Sequence, residues 1–148
     1  MKAVIQRVLR AKLSVDGNVV SEIGKGLVVY FGVAKGDGEE EAEYFARKIP
    51  ALRMFEDENG KTNLSLADVK GEILFVSQFT LYADTSRGNR PGFTEAEDPA
   101  KAETLYLYAA EALGRNAPVK KGVFGADMKI EQVNDGPFTL VMEKRREE

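Results

Sequence analysis

Two short segments carry the residues whose types and spacing could do chemistry. Residues 77–82 read Ser-Gln-Phe-Thr-Leu-Tyr, and residues 134–139 read Asn-Asp-Gly-Pro-Phe-Thr. Each places hydroxyl, amide or carboxylate groups beside apolar residues of a predicted strand, where a hydrophobic core needs only hydrocarbon. We therefore expect the chemistry of this chain to be built around these two segments.

The residues that the chain lacks restrict this chemistry. There is no Cys and no His among the 148 residues, so one chain holds neither a Ser-His-Asp triad nor a thiolate nucleophile. The hydroxyls of Ser77 and Thr80 are weak nucleophiles without an adjacent base. Imidazole and thiolate zinc ligands are missing as well, which leaves only carboxylate oxygens as ligands for a hard cation. We expect no metal and no cofactor. Hydrolysis would have to use backbone dipoles, hydroxyls, carboxylates such as Asp127 and Asp135, or groups of the substrate.

Composition indicates one globular domain over residues 1–148. Hydrophobic residues make up 43% of the chain and charged residues 30%, which is typical of a protein with a packed core. The longest apolar runs are too short to cross a membrane, and the first residues do not resemble a secretory signal. Together with the lack of cysteine, these features predict a cytoplasmic protein that has no membrane partner.

The net charge of −3 argues against a protein that coats nucleic acid by neutralising its phosphates. A protein that grips only the end of an RNA needs a few local cations instead. Arg87 with Arg90, Lys120 with Lys121, and residues 144–146 are the candidates. An ordinary solvated surface explains each of these groups equally well.

Hydrophobic periodicity predicts an α+β fold. Strand-like alternation fills the first third of the chain, and residues 73–82, 119–124, 128–133 and 139–142 predict further strands. Two main helices and about eight strands, without βαβ alternation, indicate antiparallel or mixed sheets that close towards a barrel.

The two helices have recognisable ends. Asp37 with Glu40 predicts an N-cap and a capping box for the first helix, and Pro50 is expected to stop it. The second helix is predicted to begin after Pro99 and to end at Gly114.

Polar residues enter abruptly at the end of the predicted strand 73–82. Because side chains alternate along a strand, Gln78 and Thr80 would share one face while Ser77 and Phe79 share the other. A strand end with satisfied hydroxyls explains this pattern too. The residues alone therefore leave both interpretations open.

Two further features do not indicate a function when taken alone. Gly136-Pro137 predicts an ordinary turn on sequence grounds. Arg7 falls on the same alternating face as apolar residues of the first strand, so its guanidinium lies either in solvent at a sheet end or against buried carbonyls.

Taken together, in this order and near these positions, the two segments closely resemble the signature motifs of the D-aminoacyl-tRNA deacylases. The resemblance extends from Met1 to the last predicted strand. It implies a metal-independent hydrolase that cleaves the ester of D-aminoacyl-tRNA to free D-amino acid and tRNA. The ligand would be the 3′-terminal adenosine of the tRNA with its D-aminoacyl group.

The resemblance also implies roles for particular residues. Gln78 and the backbone amides of Phe79 and Thr80 would orient or polarise the ester carbonyl, while the 2′-hydroxyl of the terminal ribose assists the attacking water. Gly136 and Pro137 would form a cis peptide that projects into the pocket of the other subunit of a homodimer.

Further residues are expected around the substrate. Arg7 resembles a brace for the Gly-Pro segment, and Met128 would lie near the adenine, although core packing explains it equally well. The remaining substrate-binding residues implied by the resemblance are Ser77, Phe124, Ala126, Asn134 and Thr139.

The implied selectivity rests on exclusion. A pocket that merely favours one small side chain discriminates by only about 1–3 kcal/mol, whereas a rigid backbone wall can reject the L configuration. Such a wall does not exclude glycine, so glycine mischarged on tRNA(Ala) is an expected second substrate. The alternatives are a sister deacylase of altered chirality with a trans Gly-Pro peptide, and a non-enzymatic nucleic-acid-binding relative.

Overall fold

The computed structural model describes residues 1–146. Its elements in chain order are β1 (Lys2–Val15), β2 (Asn18–Ile23), β3 (Gly26–Gly32), α1 (Glu39–Ala51), β4 (Phe55–Glu56), β5 (Thr62–Leu64), β6 (Glu72–Ser77), a 3₁₀ helix (Phe79–Tyr82), α2 (Pro99–Gly114), β7 (Val119–Lys121) and β8 (Lys129–Glu143).

One mixed sheet dominates the fold. Its order is β2-β1-β3-β6-β7, and β8 pairs with the other edge of β1 along most of its length. The pairs β3–β6 and β6–β7 are parallel, whereas β1 is antiparallel to β2, β3 and β8. The Ser21 hydroxyl donates to the Lys121 carbonyl at 2.5 Å, which ties β2 to β7 and nearly closes the sheet. The predicted α+β class with barrel-like mixed sheets is confirmed.

Both faces of the sheet are buried. Leu27, Val29 and Phe31 of β3 pack in a core with both helices, while Val28 faces a second core inside the curved sheet. Neighbouring β6 divides in the same way, with Phe75 in the first core and Val76 in the second. A central strand that is covered on both faces reads as a continuous apolar run, as β3 does.

The first helix begins one residue later than expected. Gly38 is the N-cap, and the Glu41 carboxylate accepts the Gly38 amide at 2.7 Å, so the predicted box of Asp37 with Glu40 is wrong. Asp37 instead accepts the Ala34 amide at 2.8 Å and pairs with the Met1 amine at 2.7 Å. These contacts hold the loop after β3. The helix includes Pro50 and ends at Ala51.

Three strand predictions need correction. Residues 73–82 do not form one strand, because β6 ends at Ser77 and the chain turns into the 3₁₀ helix. The segments 128–133 and 139–142 are not separate strands, since β8 runs continuously through both. The predicted strand 119–124 is shorter and ends at Lys121.

Candidate functional site

A cavity of about 640 Å³ opens where β6 gives way to the 3₁₀ helix. Its walls come from residues 76–79, the segment 93–102 before and within α2, and the segment 124–130, together with Val33 and Lys35 after β3. Six of the predicted site residues line it: Ser77, Gln78, Phe79, Phe124, Ala126 and Met128.

The break in β6 leaves two backbone amides without acceptors. The Gln78 amide still bonds to the Phe31 carbonyl at 2.8 Å, as the last link of the ladder with β3. The next amides, those of Phe79 and Thr80, find no acceptor within residues 1–146. They open the 3₁₀ helix, whose first N–H groups have no partner in the preceding turn. Both donors are therefore free to bind a ligand, and Phe79 lines the cavity.

The side chains around these amides interact with each other. The Gln78 amide group donates to the Thr80 hydroxyl at 2.5 Å, although the strand that was predicted to place both residues on one face ends at Ser77. Gly32 makes the arrangement possible, because a Cβ there would lie only 3.0 Å from the Gln78 carbonyl oxygen. The sequence analysis did not identify Gly32.

The far wall of the cavity is held by the core. The Tyr106 ring stacks on Phe75 at 5.0 Å and contacts Phe124 at 6.2 Å, and its hydroxyl donates to the Phe75 carbonyl. Burial raises the pKa of Tyr106, so this donor stays protonated. Met128 packs over Gly122, where a Cβ would lie 2.6 Å from its sulfur. Phe124 and Met128, which both line the cavity, are thus held in place by packing.

The carboxylates are poorly placed for acid–base work. Asp127 lines the cavity, but its side chain is 86% exposed and pairs with Lys129 at 3.0 Å. Asp135 is 41% exposed and lies 3.6 Å from the Arg7 guanidinium. Each carboxylate thus already faces a cationic partner.

The Gly136-Pro137 segment forms a bulge in β8. Gln6 on β1 pairs with Thr139 and Val8 pairs with Asn134, so residues 135–138 bulge out of the ladder. The Gly136-Pro137 peptide is cis, and Gly136 has a φ of +145°. The ladder is irregular on β1 as well, where Val8 is buried and Leu9 is 49% exposed.

Arg7 lies beneath this bulge. Its guanidinium donates to the carbonyls of Met54 at 2.7 Å and Asp135 at 2.9 Å, and it lies over the Phe138 ring at 4.9 Å. The residue is only 6% exposed. Of the two environments that the sequence left open for Arg7, the structure has the one among buried carbonyls.

A polar network that the sequence did not indicate joins the two ends of the bulge. The Tyr30 hydroxyl donates to Gln132 at 2.8 Å, and the Gln132 amide donates to Asn134 at 2.6 Å and to Gln6 at 2.8 Å. Gln6 in turn lies 3.4 Å from the Thr139 hydroxyl. Gln6, Tyr30 and Gln132 were not among the predicted site residues. They occupy strand positions that are typical of polar residues, so nothing in the sequence distinguishes them.

The two signature segments do not meet within one chain. None of Arg7, Thr80, Asn134, Gly136, Pro137 and Thr139 lines the cavity. Among residues 1–146 no cluster of three acidic side chains could hold a metal ion. In the same part of the chain, no helix is long and apolar enough to cross a membrane.

The fold and this site together define a class of α+β proteins, in which a nearly closed mixed sheet presents backbone amides without acceptors beside a cavity. Residues 4–143 match the model of the family described as D-Tyr-tRNA(Tyr) deacylase. The chain therefore belongs to the D-Tyr-tRNA(Tyr) deacylase family.

The similarity to known proteins extends over nearly the whole chain. It is 53% identical over 145 residues to the D-aminoacyl-tRNA deacylase of Persephonella marina, covering 98% of this chain and 99% of that protein. The protein of the same name from Thermosipho melanesiensis is 49% identical over 148 residues, with 99% of each chain covered.

Two solved structures share the architecture. One, described as c-Myc DNA Unwinding Element Binding Protein, has a TM-score of 0.93 at 43% identity, covering 99% of this chain and 100% of the other. The other, described as a probable eukaryotic D-amino acid tRNA deacylase, has a TM-score of 0.79 over 95% and 97% of the two chains. At 18% identity the second likeness concerns the fold alone.

Proposed function

We propose that the protein hydrolyses the ester of D-aminoacyl-tRNA in the cavity beside residues 77–80. The observation that carries this proposal is the pair of unpaired amides at Phe79 and Thr80 in a chain with no His and no Cys. Amides aimed at a developing oxyanion accelerate acyl transfer without a side-chain nucleophile, and one such donor is worth about 10²–10³ in rate.

The chemical step needs only water. Its oxygen attacks the ester carbonyl, the negative charge moves to the carbonyl oxygen beside the Phe79 and Thr80 amides, and the bond to the ribose oxygen breaks. The proton from water passes to the departing ribose oxygen, with the adjacent 2′-hydroxyl as the relay. The products are a free D-amino acid and tRNA, and no metal or cofactor takes part.

Chiral selection would come from the partner subunit of a homodimer. The Gly136-Pro137 bulge lies away from the cavity of its own chain but is fixed by Arg7, as a rigid wall must be. We infer that it enters the cavity of the second copy and excludes the L side chain. Achiral glycine has no such side chain, so glycine mischarged on tRNA(Ala) would also be cleared. This editing role places the protein in the cytoplasm, where aminoacyl-tRNA is used.

Deacylation of matched substrates tests the proposed function. Purified protein is mixed with the same tRNA charged with D- or L-tyrosine, and the remaining ester is measured over time. The proposal predicts rapid loss of the D ester and no acceleration of the L ester above the rate without protein. Equal rates, or no D activity, would contradict it.

Mixed dimers test the shared site. Gly136→Ala damages the bulge and Met128→Arg fills the cavity, so a mixed dimer keeps one intact site only if each site combines both chains. Random mixing of the two inactive variants should then restore about a quarter of wild-type activity. No recovery in confirmed mixed dimers would show that each site lies within one chain.

The DNA-related name of one structural neighbour favours a second candidate, nucleic-acid binding without catalysis. The net charge of −3 opposes it, since duplex binding depends on phosphate neutralisation. Tight binding of duplex DNA by a protein without D-aminoacyl-tRNA activity would favour this candidate.

A further inference from the structure

An exposed aromatic pair stands at the rim of the cavity. The rings of Phe79 and Phe93 meet edge to face, with centroids 5.1 Å apart, and both residues line the cavity. Phe79 is 55% exposed and Phe93 is 36% exposed, although apolar rings gain free energy when they leave water. Two adjacent rings left in solvent beside a binding cavity indicate a contact that the isolated chain does not make.

A short cationic loop connects the two rings. Residues 84–92 lie between the 3₁₀ helix and Phe93, and Asp84 and Gly92 close the loop with two backbone hydrogen bonds of 2.7 and 2.9 Å. Arg87 and Arg90 lie in this loop, both exposed. Neither guanidinium has a hydrogen-bond or ion-pair partner within residues 1–146. The Asp84 carboxylate accepts hydrogen bonds from the amide and the hydroxyl of Ser86, and it forms no ion pair with either arginine.

Aromatic faces beside unpaired arginines match the chemistry of a single-stranded nucleotide. Bases stack on aromatic rings whatever their identity, and guanidinium groups bind the phosphodiester backbone. In an acidic chain these two cations also provide the local positive charge that an anionic strand requires.

We propose that Phe79 and Phe93 form a stacking platform for the nucleotide that precedes the terminal adenosine, and that Arg87 and Arg90 contact its phosphates. This inference rests on the proposed function, because it assumes that the terminal adenosine with its aminoacyl group occupies the cavity. It adds a second nucleotide subsite at the rim of the cavity. The subsite stacks on the base without reading its edges, so it accepts any base.

The test compares two non-hydrolysable probes by calorimetry. One is 3′-amino-3′-deoxyadenosine carrying D-tyrosine through an amide, and the other is the same compound extended at its 5′ side by cytidylate. Loss of one stacked base typically lowers affinity by about 5- to 150-fold. We expect wild-type protein to bind the extended probe at least about fivefold more tightly than the short one.

Variants of Phe93 locate the effect. Phe93→Ala should abolish the gain from cytidylate, measured as the ratio of the affinities for the two probes, and Phe93→Tyr should keep the gain because it keeps the ring. Arg90→Gln should flatten the salt dependence for the extended probe alone. With charged tRNA, Phe93→Ala should raise KM by a larger factor than it lowers kcat.

Three outcomes would overturn the platform. These are the absence of a gain in the wild type, an undiminished gain in Phe93→Ala, and a change of oligomeric state in Phe93→Ala that would make the ring a subunit contact. Failure of the short probe to bind the wild type at all would instead count against the proposed function. The two proposals can therefore fail separately.

Discussion

Replacing Arg7 by Met would test how the Gly136-Pro137 bulge is held. The change keeps an unbranched side chain of similar length but removes the donors to the Met54 and Asp135 carbonyls, which lie at 2.7 and 2.9 Å. It also removes the cation above the Phe138 ring. Because Arg7 is 6% exposed, water does not readily replace these contacts.

The expected loss of stability follows from the contacts that the substitution removes. Hydrogen bonds from a charged donor contribute about 1.5–3 kcal/mol each, and the apolar packing of Met offsets part of the two that are lost. The ion pair with Asp135 adds little, because that carboxylate is 41% exposed. We expect the free energy of unfolding to fall by about 3 kcal/mol, which lowers Tm by about 6–12 °C in a domain of this size.

The same change should loosen chiral selection. Without the bond to the Asp135 carbonyl the bulge can shift, so the ratio of kcat/KM for D- over L-tyrosyl-tRNA should fall at least about tenfold, equivalent to about 1.4 kcal/mol. Thermal melting and deacylation of both substrates measure the two effects. Arg10→Met is the matched control, since Arg10 lies exposed on the same strand and should stay within about 0.5 kcal/mol of the wild type. A variant with the expected Tm loss and an unchanged D/L ratio would refute the role of Arg7 in selection.

Two further changes probe the site itself. Gly136→Ala should lower D-aminoacyl-tRNA deacylation more than any change at a hydroxyl, because its Cβ would lie 2.5 Å from the Phe138 nitrogen at a φ of +145° that favours glycine; activity near the wild-type level would contradict this. Ser77→Ala and Thr80→Ala should each retain substantial activity in the same assay, because the backbone amides survive both changes. A loss of more than about 10⁴-fold in folded Thr80→Ala, together with a trapped acyl-enzyme, would instead indicate covalent catalysis.

The sequence predicted the elements well where a single periodicity governs them. The strands of the first third of the chain and the helix between Pro99 and Gly114 were predicted correctly, because one rule of burial applies along each element. The start of the first helix was predicted one residue too early, because Asp37 pairs with the Met1 amine. This contact joins distant parts of the chain. Local capping rules do not include such contacts.

The site was predicted less completely. The end of β6 at Ser77 was missed, because the following residues include neither Gly nor Pro and continue a strand-like pattern. The turn there depends on the close approach of Gly32 to the Gln78 carbonyl. The environment of Arg7 likewise depends on Met54 and Asp135, which are remote in sequence. Periodicity describes a face of an element and does not identify its partner.

We propose that this chain supplies no acid–base side chain and that the substrate's own ribose assists the water. Single-turnover hydrolysis of D-tyrosyl-tRNA ending in adenosine, compared with the same tRNA ending in 2′-deoxyadenosine, tests this mechanism. We predict nearly equal binding and hydrolysis at least about 10²-fold slower for the deoxy substrate, the scale of a lost acid–base group. A normal rate on the deoxy substrate, with activity abolished in Asp127→Asn or Asp135→Asn, would show that a protein carboxylate activates the water.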